Sequence, residues 1–161
     1  MIDDQLPWQD ELVGVAERLE ARTKQARWTA RTGFLIERDF AVGAYAVRKL
    51  IESDAVTGEL SRYRFPVLRF ERSREPVGLR SIGDISEVYD LENGSRRALS
   101  VVELCYEIMH SLAFAFCCGE SADLYDGVYV ASDRNVTDCV HLVLASDFIA
   151  LCGDLGAQNR S

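Results

Sequence analysis

A chain of 161 residues, 48% hydrophobic and 27% charged, is long enough to bury one core and is composed like a folded globule, which excludes disordered and membrane-spanning classes. Its formal charge of −8 is unevenly spread. Residues 1–80 hold 14 basic and 13 acidic side chains, a balance of +1, whereas residues 81–161 hold 4 and 13, a balance of −9. A general nucleic-acid binder needs the opposite sign, so any polyanion contact has to use a local patch in the first half.

One globular domain is expected over 1–161. Residues 9–25 carry Leu12, Val15, Ala16 and Leu19 at helical spacing and predict an amphipathic helix. A second helix is predicted from about Trp28 to Ser53, with Ile36, Phe40, Val47 and Leu50 on its apolar side. No clear breaker separates the two, so one bent helix and a tight antiparallel pair are both open. "RFPVLRFER" predicts a strand that Pro66 confines to an edge or a strand start. Residues 73–97 read as loop, with a short helical turn around Ile85 to Tyr89 and a turn at "ENGS".

From about Ser100, "LSVVELCYEIMHSLAFAFCC" is apolar on two sides and predicts a long central helix. "DGVYVASD" and "CVHLVLAS", separated by "RNVTD", predict an antiparallel hairpin. "SDFIALCGDLG" predicts a closing helix, with Ser146 or Asp147 at its N-cap and Gly153 or Gly156 past its end. The expected fold class is α+β: N-terminal helices and a central buried helix packed on a small antiparallel sheet that includes the C-terminal hairpin.

Three constellations could carry chemistry. Arg134 and His141, with six residues between them, resemble the loose Arg-x(4–6)-His pattern of the HEPN endoribonucleases. That resemblance implies an all-helical, usually dimeric bundle that cleaves RNA without metal, His moving the proton and Arg stabilising the phosphorane. The β-branched residues of "VTDCVHLVLA" instead favour a strand, with His141 on the same face as Cys139 and Val143. Glu103, Glu107 and His110 fall at i, i+4 and i+7; Glu107 and His110 make the Glu-x-x-His step of di-iron helix bundles, which needs further ligands not evident here. The alternative is an ion pair or a buried, hydrogen-bonded histidine.

Residues 62–80 set Arg62, Arg64, Arg69, Arg72, Arg74 and Arg80 against Glu71 and Glu75, a balance of +4. Tyr63, Phe65 and Phe70 are interleaved, so bases could stack while guanidinium groups hold phosphates. The competing and favoured reading pairs these arginines with the acidic second half, within the molecule or across a dimer.

Five cysteines, Cys105, Cys117, Cys118, Cys139 and Cys152, are an odd set with no CxxC pair, as expected of reduced thiols. The acidic start "MIDDQLPWQDE" is unlike a secretory signal, so a cytoplasmic location is expected. GxSxG, GxxxxGK[ST], GxGxxG and HExxH are all missing, which makes the common hydrolase and oxidoreductase classes poor candidates.

The blocks "FLIERDFAVGAYAVRKLIES", "VVELCYEIMHS" and "GVYVASD" followed by "CVHLVLASDFIALCGDLG" together resemble a group of small bacterial proteins of unknown function. The resemblance implies an α+β domain and no activity. The sequence therefore points to a non-enzymatic accessory protein without cofactor, binding a protein partner or a second copy of itself. An RNA-binding module or endoribonuclease is the alternative.

Overall fold

The computed structural model describes residues 6–53, 60, 62–73, 84–118 and 124–158. In chain order these form α1 (Leu6–Thr23), α2 (Ala30–Glu52), β1 (Arg64–Glu71), α3 (Ile85–Val88), β2 (Ser95–Ser100), α4 (Val101–Met109), β3 (Ser111–Cys118), β4 (Tyr125–Ser132), β5 (Cys139–Leu144) and α5 (Ala145–Ala157). The architecture is α+β: one antiparallel sheet in the order β2-β1-β5-β4-β3, with the larger core between one of its faces and the helices. Among the described residues no helix is long and apolar enough to cross a membrane.

The first two helices are a pair, not one bent rod. Thr23 ends α1, the Trp28 indole N–H donates to the Gln25 carbonyl, and the Thr29 N–H donates to the Thr32 hydroxyl as α2 begins. Leu12, Val15 and Leu19 of α1 and Ile36, Phe40 and Val47 of α2 are buried together, as the helical spacing requires. α5 lies against α1 so closely that a Cβ on Gly156 would meet Val13 Cγ2 at 2.8 Å and the Gln9 carbonyl at 3.0 Å. Gln9 in turn donates to the Leu155 and Gln158 carbonyls at the end of α5, satisfying groups that no further helical turn can reach. α5 thus begins at Ala145, with no side-chain cap, and runs on to Ala157. The glycines expected past its end lie inside it, Gly156 because of this contact.

The long central helix is where the structure departs most from the sequence reading. Ser100 and Glu103 form a reciprocal capping box, the Ser100 hydroxyl accepting the Glu103 N–H at 3.1 Å and the Glu103 carboxylate accepting the Ser100 N–H at 3.4 Å. That box starts α4, and His110 ends it after only nine residues. The remaining "SLAFAFCC" is β3, in which Phe114 and Phe116 turn towards the helices while Ala113 and Cys117 face the other side. The run looked apolar on two sides because a short helix and a two-faced strand were read at one period. β2, in a stretch read as loop, was also missed. Replacing Ser100 by alanine should cost about 1 kcal/mol, read as a lower urea midpoint; an unchanged midpoint would show that the box contributes nothing.

The predicted hairpin is present: β4 and β5 pair antiparallel, Val130 opposite His141, across a turn at residues 133–138. β1 pairs β5 only over Leu68–Glu71, so Pro66 sits near the strand start, before the pairing with β5 begins. A second, smaller core on the far face joins Phe70, Val140, Leu142, Val136 and Tyr89, whose hydroxyl donates to the Val136 carbonyl at 2.6 Å.

Candidate functional site

Two of the sequence constellations share one place in the fold. His141 on β5 points into the helix-facing side of the sheet, and Glu107 lies on the inward face of α4 beside Leu104 and Ile108. His141 Nδ1 and Glu107 Oε1 are 3.7 Å apart, and the two residues are 4% and 2% exposed. Glu107 spends its carboxylate on the β4–β5 connection. Oε2 accepts the Ser132 N–H at 2.6 Å and Oε1 accepts the Asn135 side-chain amide.

Electrostatics decide what this couple is. Burial, reinforced by the Arg69 guanidinium, pushes the His141 pKa down to about 4, against the pull of Glu71 and Glu103. Burial pushes Glu107 up, while the hydrogen bond from Ser132 pulls it back. At neutral pH His141 is therefore uncharged and the 3.7 Å approach is not an ion pair. Its Nδ1 has no hydrogen-bond partner. The imidazole thus offers almost no surface to a group outside the fold. The arrangement fastens α4 to the turn.

Arg134 lies apart from His141, exposed in the turn. Its guanidinium stacks 3.9 Å from the Tyr106 ring centroid, and the Tyr106 hydroxyl donates to Asp133 at 2.8 Å. The other face of Tyr106 carries His110, ring centroids 4.4 Å apart. The local structure that the HEPN pattern needs is a helix; here Arg134 is on a turn and His141 on a strand. The ligand set Glu103, Glu107 and His110 is not assembled either. Glu103 is taken up in the exposed capping box, Glu107 is beneath the surface and His110 is the exposed cap of α4. Among the described residues no three His, Cys, Asp or Glu side chains gather to hold a metal ion.

Of the arginine segment, Arg69 pairs with Glu71 at 2.7 Å, and Arg72 donates to the Val136 carbonyl from its side chain and to the Asp138 carbonyl from its backbone. Arg62 and Arg64 are exposed. Arg74 and Arg80 lie outside the described residues. Phe65 and Phe70 are buried in the two cores on opposite faces of the sheet, so of the three interleaved aromatics only Tyr63, 42% exposed, is open to a stacking partner. Sequence reasoning missed Arg96 and Arg97, which β2 places opposite Leu68 and Val67. The signal was "NGSRRALS", a turn followed by a short strand. No ion pair joins Arg62, Arg64, Arg96 or Arg97 to a described carboxylate.

The buried thiols offer no nucleophile. Burial pushes Cys105 up to about 12 and Cys139 up to about 11, and Cys152 is raised likewise. A hollow of about 610 Å³ opens where α1, β4 and α5 meet, lined by Glu20, Tyr125, Asp126, Ala145 and Ile149, without the histidine or arginine groups discussed above. Comparison of the chain with protein-family models, with curated proteins and with solved structures found no match to any of them.

Proposed function

We propose that the protein is a non-enzymatic accessory protein of the cytoplasm that holds an acidic protein partner at the β1–β2 edge of its sheet. The observation that carries this reading is the set Arg62, Arg64, Arg96 and Arg97, exposed along one edge of a chain of net charge −8 and in no close ion pair with a described carboxylate, Arg97 acting on Glu71 only at longer range. Guanidinium forks fit carboxylates bidentately, and their attraction steers encounter at low salt. The unbridged cysteines support a reducing location.

Single-stranded RNA is the second reading, favoured by the exposure of Tyr63 between Arg62 and Arg64. Burial of Phe65 and Phe70 leaves it one stacking platform, which is why the protein partner is preferred. The test is fluorescence anisotropy with a glutamate-rich peptide and with a single-stranded RNA oligonucleotide, for the natural chain and the Arg96→Glu/Arg97→Glu variant. The peptide should bind, weaken at least roughly tenfold in the variant and weaken again between about 0.05 and 0.5 M salt. Binding of neither probe sinks the reading, and preference for RNA replaces it by the second.

A further inference from the structure

The two edges of the sheet are finished differently. The Arg72 N–H donates to the Asp138 carbonyl, which sets the alternation of the ladder: Leu68 and Phe70 of β1 bond towards β5, and Arg69 and Val67 towards β2. On β2 the groups left pointing outward belong to Arg96, Ala98 and Ser100. The Arg96 and Ala98 carbonyls and the Ser100 N–H among them are occupied from within. Arg64 donates to the Ala98 carbonyl at 3.1 Å, Arg97 to the Arg96 carbonyl at 3.4 Å, and Glu103 accepts the Ser100 N–H. Charged side chains laid along an edge are how sheets avoid pairing with other chains.

Carried across the sheet, the same alternation makes Val128 and Val130 of β4 bond to β5, and Gly127, Tyr129 and Ala131 bond to β3. In β3 the inward bonds are then those of Ala113, Ala115 and Cys117. The N–H and C=O groups of Phe114 and Phe116 point outward, and among the described residues no strand lies beyond them. β3 contains no charged residue and no proline, and Leu112 is 54% exposed. None of the devices that guard β2 is present.

We propose that β3 pairs antiparallel with β3 of a second copy of this chain, about a two-fold axis at Phe114, to give a continuous ten-stranded sheet. The register is self-complementary. Phe114 meets Phe114 on the helix side and Ala113 meets Ala115 on the other, while Leu112, at the register shift between Ser111 and Ala113, comes opposite Phe116. Self-complementarity of this kind is what an isologous two-fold contact requires. Outward-bonding Phe114 meets outward-bonding Phe114 in this register. An uncharged strand also lets two molecules of like charge meet without a charged side chain of that strand at the seam. The apolar seam continues into the helix layer: a Cβ on Gly33 would lie 3.2 Å from the Phe116 ring, and the next residue of α2, Phe34, is 58% exposed.

A strand of eight residues is about 26 Å long, and with a helix layer about 10 Å above it the seam buries roughly 1,000 Å² in total. That is the lower limit for a specific interface and implies a micromolar dimer in place of an obligate one.

The test is sedimentation equilibrium of the full chain from about 1 to 200 µM, a range that brackets such a dissociation constant. The mass should rise from 18.0 kDa to twice that value, equally at about 0.05 and 0.5 M salt, because the seam is uncharged. Leu112→Lys should weaken the dimer at least roughly tenfold, and Phe34→Lys should weaken it too, with circular dichroism and thermal melts unchanged at these exposed positions. Ala98→Lys, on the guarded edge, should leave the dimer intact. A monomer throughout the range overturns the proposal, as does a dimer dissociated by Ala98→Lys or by salt and untouched by Leu112→Lys. Loss of peptide binding in the Arg96→Glu/Arg97→Glu variant with dimerisation intact would separate the two surfaces.

Discussion

Replacing Glu107 by alanine is expected to remove about 3 kcal/mol of stability, because it strands groups that only this carboxylate satisfies. The Ser132 N–H, in a residue with no exposed surface, would lose its 2.6 Å acceptor, and the Asn135 amide its partner. Truncation also empties space under the last turn of α4, beside Leu104 and Ile108. For a chain of this length the loss amounts to a melting temperature lower by roughly 6–12 °C. Glu107→Gln keeps an oxygen for the Ser132 N–H and should lose less than half as much. A thermal melt of both variants decides the matter; if alanine costs under about 1 kcal/mol, Glu107 is not the fastening of the turn.

Acid should weaken the fold through His141. Its folded pKa of about 4 lies below the ordinary 6.5, so as pH falls the unfolded chain takes the proton first and the native state is penalised. The loss begins near pH 6.5, reaches about 2 kcal/mol at pH 5 and levels off near 3 kcal/mol below pH 4. Glu107 works in the opposite sense. Its raised pKa means that the native state holds a proton more tightly than the unfolded chain, a contribution lost as pH rises through that value. His141→Leu isolates the histidine part. Since Nδ1 has no partner, the leucine variant should be at least as stable as the natural chain at pH 7. Its urea midpoint should stay level or rise between pH 7 and 5, where the natural chain declines. Parallel curves for the two proteins would refute this account.

What the sequence made legible follows from which forces are local. α1, α2, β1, α3 and the β4–β5 hairpin rest on period and turn chemistry within a dozen residues, and each was visible there. The helix expected over residues 99–118 was not separable by composition. Leu, Ala and Phe suit either period, and the deciding features were a capping box at Ser100 and a halt at His110. β2 was hidden because Arg96, Arg97 and Ala98 are all exposed, leaving no alternation to see. At the candidate site, the face of His141 was readable from β5 alone. Its neighbour Glu107 was not, since a helix and a strand 34 residues apart meet only when the sheet closes. Arg134 and His141, suggestive by spacing, were parted by the simplest local fact, a turn ending in a strand.

The strand order β2-β1-β5-β4-β3 also says how this sheet comes together in time. Its other pairings are more local, as in Val130 with His141, whereas the β1–β5 pairing joins Phe70 to Val140, about 70 residues away. Closing that longer loop costs roughly 1.6 kcal/mol more in chain entropy, and only the four residue pairs of Leu68–Glu71 with Cys139–Leu142 reward it directly. The β1–β5 pairing is thus the sheet's most expensive contact to form, and the β4–β5 and β3–β4 pairings beyond it are its cheapest. Two halves, one ending in β2 and the other beginning with α4, can each be assembled before the β1–β5 seam joins them, and slow folding steps should be sought at that seam.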